Sequence, residues 1–379
     1  MNTILSHKIR MKPTPDQESV LIRACGISRY TYNWALARWK VLKSEGVEKV
    51  TRNDLKKEWN QLKPDWVYDA PKDANQQPFT DLYNGFSRYY NKQGTGFPKF
   101  KSKNKSRDSF YVSNDKAKLV GSQVIRLPKV GRVPLCEPLR WKHKDVKIMS
   151  YTISRSANQW FVSINVQIDI EKMNVNSPDN MLGIDLGIKE FIVDSNDDHV
   201  SSPKPLKVYK KKLNKLQRKL SRAKKGSGNR TKRKGKVAKL HLRVSNIRKD
   251  FLHKLSNKIT KENRIIVTED LNVKGMLKNH KLAFHIQDAS WYEFTRQIEY
   301  KSKRTNSIYL KVDRFFPSTK TCSDCGAVKK KMSLSEREYI CHECGTVKDR
   351  DHNAAINILA SGLINIIPGA SGKYTLSQL

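Results

Sequence analysis

Between Val208 and Arg243 the chain carries sixteen Lys or Arg and no Asp or Glu. A solvated helix ordinarily alternates charge sign, because like charges one turn apart repel. This stretch does not alternate. Leu213, Leu216 and Leu220 give it a helical apolar stripe, and Gly226-Ser227-Gly228-Asn229 breaks it, so a basic helical hairpin is expected within 203–262. The same bias runs through the whole chain, with 74 Lys and Arg against 36 acids and a net charge of +38. Such an excess opposes compaction unless a polyanion neutralises it. Nucleic acid is the partner that does so, since Lys and Arg contacts to phosphate release counterions.

The 379 residues exceed one ordinary domain and allow two or three. No apolar run approaches the ~20 residues that span a bilayer. The stretch Met1 to Arg10 lacks a signal-peptide core with a small-residue cleavage site. No membrane partner is therefore expected, and the expected location is cytoplasmic, in a bacterial cell and associated with the nucleoid.

Alternation over Ile4–Arg10 reads as a strand, and Thr14-Pro15-Asp16-Gln17 as a helix start. Helical spacing continues with loops to about Lys92, and 94–107 is a Gly-, Pro- and Lys-rich loop. Short alternating strands follow from Asp108 to about Lys172, including 109–112 and 160–166, and suit a small barrel. A new domain starts near Met181. Leu182-Gly183-Ile184-Asp185-Leu186-Gly187-Ile188 is an apolar strand broken by one acid, with Phe191-Ile192-Val193 as its hairpin partner.

Three acids stand where an acid needs a reason. Asp185 interrupts that strand, Glu269 ends the apolar run Ile265-Ile266-Val267-Thr268, and Asp351 opens a helix-like segment. A carboxylate within an apolar strand is costly unless paired or bound to metal. Taken singly, Asp185 fits a turn, Glu269 a strand end and Asp351 a helix cap. Taken together on adjacent strands and a facing helix, they can hold two Mg²⁺ ions and catalyse in-line phosphodiester hydrolysis.

Cys322-x2-Cys325 and Cys341-x2-Cys344 are separated by fifteen residues, which is zinc-ribbon spacing. Four thiolates close the coordination sphere, so one structural Zn²⁺ is expected. His342 is expected to be a bystander. Lys329, Lys330 and Lys331 at the tip fit either a nucleic-acid contact or a solvated charge run.

Arg29, Tyr30, Tyr32, Trp34 and Trp39 cluster in one helical segment, and Phe86, Arg88, Tyr89, Tyr90 and Lys92 in another, followed by Phe97, Lys99, Phe100, Lys101 and Lys103. Aromatics interleaved with cations can stack on bases and hold phosphates. Helical spacing assigns most of these rings to a core. The candidate nucleic-acid contacts are Tyr30, Tyr32, Arg88, Lys99 and Lys101, with Lys212, Lys215, Arg218, Lys219 and Arg222 on the hairpin.

The motifs Gly183-Ile184-Asp185-Leu186-Gly187, Thr268-Glu269-Asp270-Leu271, Thr321-Cys322-Ser323-Asp324-Cys325-Gly326, Cys341-His342-Glu343-Cys344-Gly345 and Asp349-Arg350-Asp351-His352-Asn353-Ala354-Ala355 resemble TnpB. TnpB is the OrfB-type family of small transposons, related to compact type V CRISPR effectors. The resemblance is strong over the C-terminal half and looser before it. It implies a RuvC-type site at Asp185, Glu269 and Asp351, with Asp349 outside it. It also implies a guide RNA and cleavage of double-stranded DNA beside a short adjacent motif, the guide–target duplex lying in a basic channel.

The expected fold is mixed α/β and α+β, multidomain. A wedge-like β-barrel domain covers 1–10 and 108–180, with a helical nucleic-acid recognition insertion at 11–107. An RNase H-like (RuvC) domain covers 181–320 and 346–379, with the ribbon at 321–345. Two rival readings remain open: an RNA-guided repressor that binds DNA without cutting, and an unguided structure-specific RuvC-like nuclease or transposase. The acid trio argues against the first and the large basic N-terminal half against the second.

Overall fold

The structure, a computed structural model, describes residues 2–103, 105–141, 146–169, 180–333 and 335–364. The expected domain ranges 108–180 and 346–379 extend outside these residues at 142–145, 170–179 and 365–379. The chain divides into two units, Met1–Asp169 and Ile170–Leu379. No helix among the described residues is long and apolar enough to cross a membrane.

The first unit opens with β1 (Asn2–Met11) and the helices α1 (Pro15–Ser44), α2 (Arg52–Leu62) and α3 (Lys72–Tyr90). It continues through β2 (Ser109–Ser113), β3 (Lys118–Val120), β4 (Val124–Leu127), β5 (Gly131–Pro134), β6 (Lys147–Ser156) and β7 (Gln159–Asp169). The expected helix start is a capping box: Thr14 accepts from the Gln17 N–H, and the Gln17 side chain accepts from the Thr14 N–H. Leu21, Ala24, Ser28, Thr31, Ala35 and Leu36 form the buried face of α1. Trp34 stacks on Trp59 at 4.9 Å and Trp39 on Phe86 at 4.5 Å, so these rings are packing groups. The strands form the orders β1-β7-β6-β2 and β3-β4-β5, coupled through a bridge between Met11 and Leu135. Among the described residues β2 and β3 do not pair with each other.

The second unit contains β8 (Met181–Asp185), β9 (Ile192–Asp194), β10 (His199–Val200), α4 (Pro205–Ser221), α5 (Gly228–Glu262) and β11 (Ile265–Glu269). Then come α6 (Val273–Met276), α7 (Ala283–Ala289), α8 (Trp291–Thr305), β12 (Ile308–Val312), β13 (Glu338–Ile340), β14 (Val347–Asp349) and α9 (Arg350–Ile364). The main sheet has the order β10-β9-β8-β11-β12. An antiparallel meander, β8 to β10, is extended by β11 and β12, which run parallel to β8. Alternation along the strands separates two cores. Leu182, Ile184 and Ile266 join Leu252, Phe294 and Ile298 of α5 and α8. Val267 and Val312 join Ile358, Leu359 and Leu363 of α9.

Two expectations shift in detail. The strand at 182–188 stops at Asp185, because the chain turns sharply at Gly187, where a Cβ would lie 2.6 Å from the Glu190 carbonyl. Its partner begins at Ile192 and ends at Asp194. The basic hairpin forms, but its turn starts earlier than Gly226: α4 ends at Ser221, and Ser227 caps α5.

Candidate active site and metal centre

Strand periodicity places Asp185 on the same face of β8 as Gly183, and Glu269 on the same face of β11 as Val267. That is the face covered by α9. Ile184 pairs with Thr268 in the parallel register, so Asp185 and Glu269 end neighbouring strands at their carboxyl edge. Gly183 explains how α9 comes close. A Cβ there would lie 2.2 Å from the Ala355 carbonyl and 2.7 Å from Leu359 Cβ. Two strand residues from Gly183 to Asp185 advance about 7 Å, and one helix turn back from Ala355 to Asp351 covers about 6 Å. An α9 running antiparallel to β8 thus brings Asp351 to the strand end. Gly362 repeats the contact on β11, where a Cβ would lie 2.4 Å from Val267 Cγ1.

The electrostatics record the convergence. Burial first, then the charges of Glu269 and Asp351, push the Asp185 carboxyl up to about 8. Arg350 and the Leu186 N–H oppose that rise. Burial also raises Glu269, while the Ser318 hydroxyl, which donates to Glu269 Oε1, lowers it. Asp351 Oδ1 accepts from Arg350 Nε at 2.9 Å and Nη2 at 2.8 Å, and Arg337 Nη1 lies 3.8 Å from Oδ2. Asp349 does separate work: its Oδ1 accepts from the Asp351 N–H at 2.8 Å and the His352 N–H at 3.1 Å, capping α9. Clustered carboxylates that repel one another fit a divalent cation with hard oxygen ligands.

Cys322, Cys325, Cys341 and Cys344 bring their sulfurs within 4.8 Å of one another. The Cys322–Cys344 and Cys325–Cys341 separations are 3.7 and 3.5 Å. A tetrahedron with Zn–S bonds of about 2.3 Å has edges of about 3.8 Å, so these four thiols fit Zn²⁺. The three carboxylates do not gather that tightly; among the described residues only the cysteines do. Gly326 and Gly345 adopt φ of 75° and 72°, the left-handed turn that each knuckle requires. His342 is outside the cluster and lies 3.4 Å from Glu343. Helix α9 also holds the root of the cysteine module. Asn353 Nδ2 donates to the Thr321 carbonyl at 2.7 Å, and its Oδ1 accepts from the Ser323 N–H at 3.0 Å. Asn357 Nδ2 donates to the carbonyls of Ser318 and Thr321 at 2.9 and 2.7 Å.

Of the candidate nucleic-acid contacts, Tyr32, Arg88, Lys99 and Lys101 line one recess of the first unit. Lys212, Lys215, Arg218, Lys219 and Arg222 are exposed along α4 and its end, above the buried Leu213. Arg88 and Lys99 are exposed, and Tyr30 is 42 % exposed although packed on Trp66 at 5.1 Å. Tyr32 is largely buried, with Lys101 Nζ 3.7 Å from its ring centroid. Lys101 is itself half-buried, its backbone clamped by the Asn33 side chain at 2.7 and 2.8 Å. Sequence reasoning missed Ser318, Arg337, Arg350, Asn353 and Asn357. Of these, Arg350 and Asn353 lie within the motif around Asp351 and so left a sequence signal.

Three family descriptions match the chain: "Probable transposase" (OrfB, IS605) over residues 162–280, "Cas12f1-like, TNB domain" over 291–358, and "Helix-turn-helix domain" over 1–46. In this chain the last segment is β1 followed by one unbroken helix. A Streptomyces pristinaespiralis protein named "Putative RNA-guided DNA endonuclease" is 36% identical over 366 residues, covering 94% of this chain and 89% of its own. InsQ of Escherichia coli K12, named in the same way, is 29% identical, with 96% and 93% covered. In fold, the chain resembles Cas12f1 from a complex with sgRNA and target DNA, with TM-score 0.58 and 14% identity over 94% of this chain and 98% of that one. It also resembles the mini-RNA-guided endonuclease Cas-phi3, with TM-score 0.51 and 10% identity over 99% and 93%. With motifs, architecture and relatives in agreement, the chain belongs to the TnpB (OrfB, IS605-type) family.

Proposed function

We propose that this chain is an RNA-guided endonuclease that cuts double-stranded DNA beside a short adjacent motif, with Asp185, Glu269 and Asp351 as a RuvC-type site for two Mg²⁺ ions. The observation that carries the reading is the convergence of three carboxylates on the α9 face of the sheet, where burial and mutual repulsion push Asp185 up to about 8. Such a group needs a cation to stay ionised at neutral pH. When bound, Mg²⁺ supplies Lewis-acid activation of water and neutralises charge at the leaving 3′ oxygen. Asp185 and Glu269 present their oxygens from rigid strand ends. Ser318 orients Glu269, while Arg350 and Arg337 hold the Asp351 carboxylate.

The mixed sheet supports an RNase H-like assignment for 181–320 and 346–379. The remaining assignments are a wedge-like barrel domain at 1–10 and 108–180, a helical recognition insertion at 11–107, and a structural Zn²⁺ ribbon at 321–345. Association with a transposon is part of the same proposal. The basic stretch 208–243 of α4 and α5, which contains no acid, suits a guide RNA, because phosphate satisfies positive charge. The test is to sequence the RNA that copurifies with the protein, then to supply a duplex matching its guide segment. A defined RNA and guide-dependent cutting are expected. A heterogeneous smear, or cutting indifferent to the match, contradicts guidance.

A further inference from the structure

A recess of about 340 Å³ opens beside the acids within the second unit. Its wall takes Lys189 from the loop after β8, Lys204 and Lys207 from the start of α4, His285 and Asp288 from α7, and Arg337 from the cysteine module. Asp288 is its one carboxylate and is already committed. Its oxygens accept from the Leu206 and Lys207 N–H groups, both at 3.0 Å, and from Arg248 Nη2 at 3.1 Å. The recess is therefore left cationic.

Two features show that it is built. Lys204 sits in the left-handed region at φ 43°, a strained position for a residue with a Cβ. Its Nζ donates to the Lys189 carbonyl at 2.7 Å, tying the loop to α4. Lys189 and Lys207 are exposed, and among the described residues neither ammonium is paired with a carboxylate. Arg337 lines the recess while its Nη1 lies 3.8 Å from Asp351 Oδ2. One side chain thus spans the recess and the acids. Ammonium and guanidinium groups converging on a polar recess recognise phosphate.

We propose that this recess is a phosphate subsite holding one backbone phosphate of the DNA strand being cut, next to the phosphate that reacts. The proposal rests on the nuclease reading above. It places Lys189 and Lys207 as positioning residues that fix the register of the strand, and it offsets the repulsion between the acids and the DNA backbone.

The test uses guide-loaded protein and a matched duplex carrying one neutral methylphosphonate, moved position by position along the cut strand. In the wild type, one position flanking the cut should slow cleavage about tenfold or more, the value of a lost charge-assisted hydrogen bond. Lys189→Ala/Lys207→Ala should cut slowly and lose its sensitivity at that position alone. Lys189→Arg/Lys207→Arg should restore it, and the distant Lys303→Ala should behave as wild type. An active wild type whose positional sensitivity persists in the Ala pair overturns the subsite. Competition by inorganic phosphate that the Ala pair abolishes, without methylphosphonate coupling, overturns it too, because the recess would then hold free phosphate. A wild type that cuts no duplex removes the nuclease reading, and the subsite with it.

Discussion

At the scale of single residues, the surroundings of each acid set its charge state. The ordinary pKa of Asp185 is 3.8, and in the fold it is pushed up to about 8. Between those values the folded state binds a proton that the unfolded chain has lost, so stability falls as pH rises through that window. Asp185→Asn removes this dependence. Without added magnesium, its melting temperature should exceed the wild type's by more at pH 8 than at pH 5; thermal scans at both pH values check it, and an equal offset contradicts it. Ser318→Ala should slow cleavage while preserving RNA binding, because Glu269 loses the donor that orients it and favours its ionised form. Asp185 stood out in the sequence because a carboxylate within an apolar strand is an anomaly, whereas Glu269 at a strand end and Asp351 at a helix start stood out through the motifs around them. Ser318 and Arg337 did not, since a lone polar residue in a loop has no pattern until the chain folds back on it.

Packing decides at the scale of elements. Gly183 lets α9 lie on β8, and an added methyl would meet backbone at 2.2 Å. Gly183→Ala should cost about 1–3 kcal/mol by overpacking and should lose more activity than its stability change explains, because Asp351 moves with the helix. Denaturant melts beside cleavage rates check this. Cys322→Ser or Cys344→Ser should release one equivalent of Zn²⁺, measured by metal analysis, because zinc binding is folding free energy for such a module. A wild type without zinc contradicts the ribbon. The loss should reach the acids, since Asn353 and Asn357 join the root of the module to α9. The capping box at Thr14 and the leucine stripe of α4 were readable because local rules set them. The end of β8 at Asp185 was not, because it depends on a turn between residues that only the fold brings together.

For the whole molecule, a net charge of +38 makes binding and chemistry separable. In the proposed function, binding draws on Lys and Arg contacts and should weaken steeply with salt. The three acids contribute nothing favourable to it. In the proposed mechanism cleavage needs them all, because in-line displacement tolerates little misplacement. The composition made a polyanionic partner legible, and the motifs made the family legible. The most direct test is a plasmid-cleavage time course on guide-loaded protein with a matched target and Mg²⁺, comparing wild type with Asp185→Ala, Glu269→Ala, Asp351→Ala and Asp349→Ala. The first three should lose several orders of magnitude in rate with RNA and target binding nearly intact. Asp349→Ala should keep substantial activity, losing only the helix cap, worth about 1 kcal/mol. An inactive Asp349→Ala beside a normal Asp351→Ala would contradict the third ligand, and wild-type cutting by all four would contradict the active site itself.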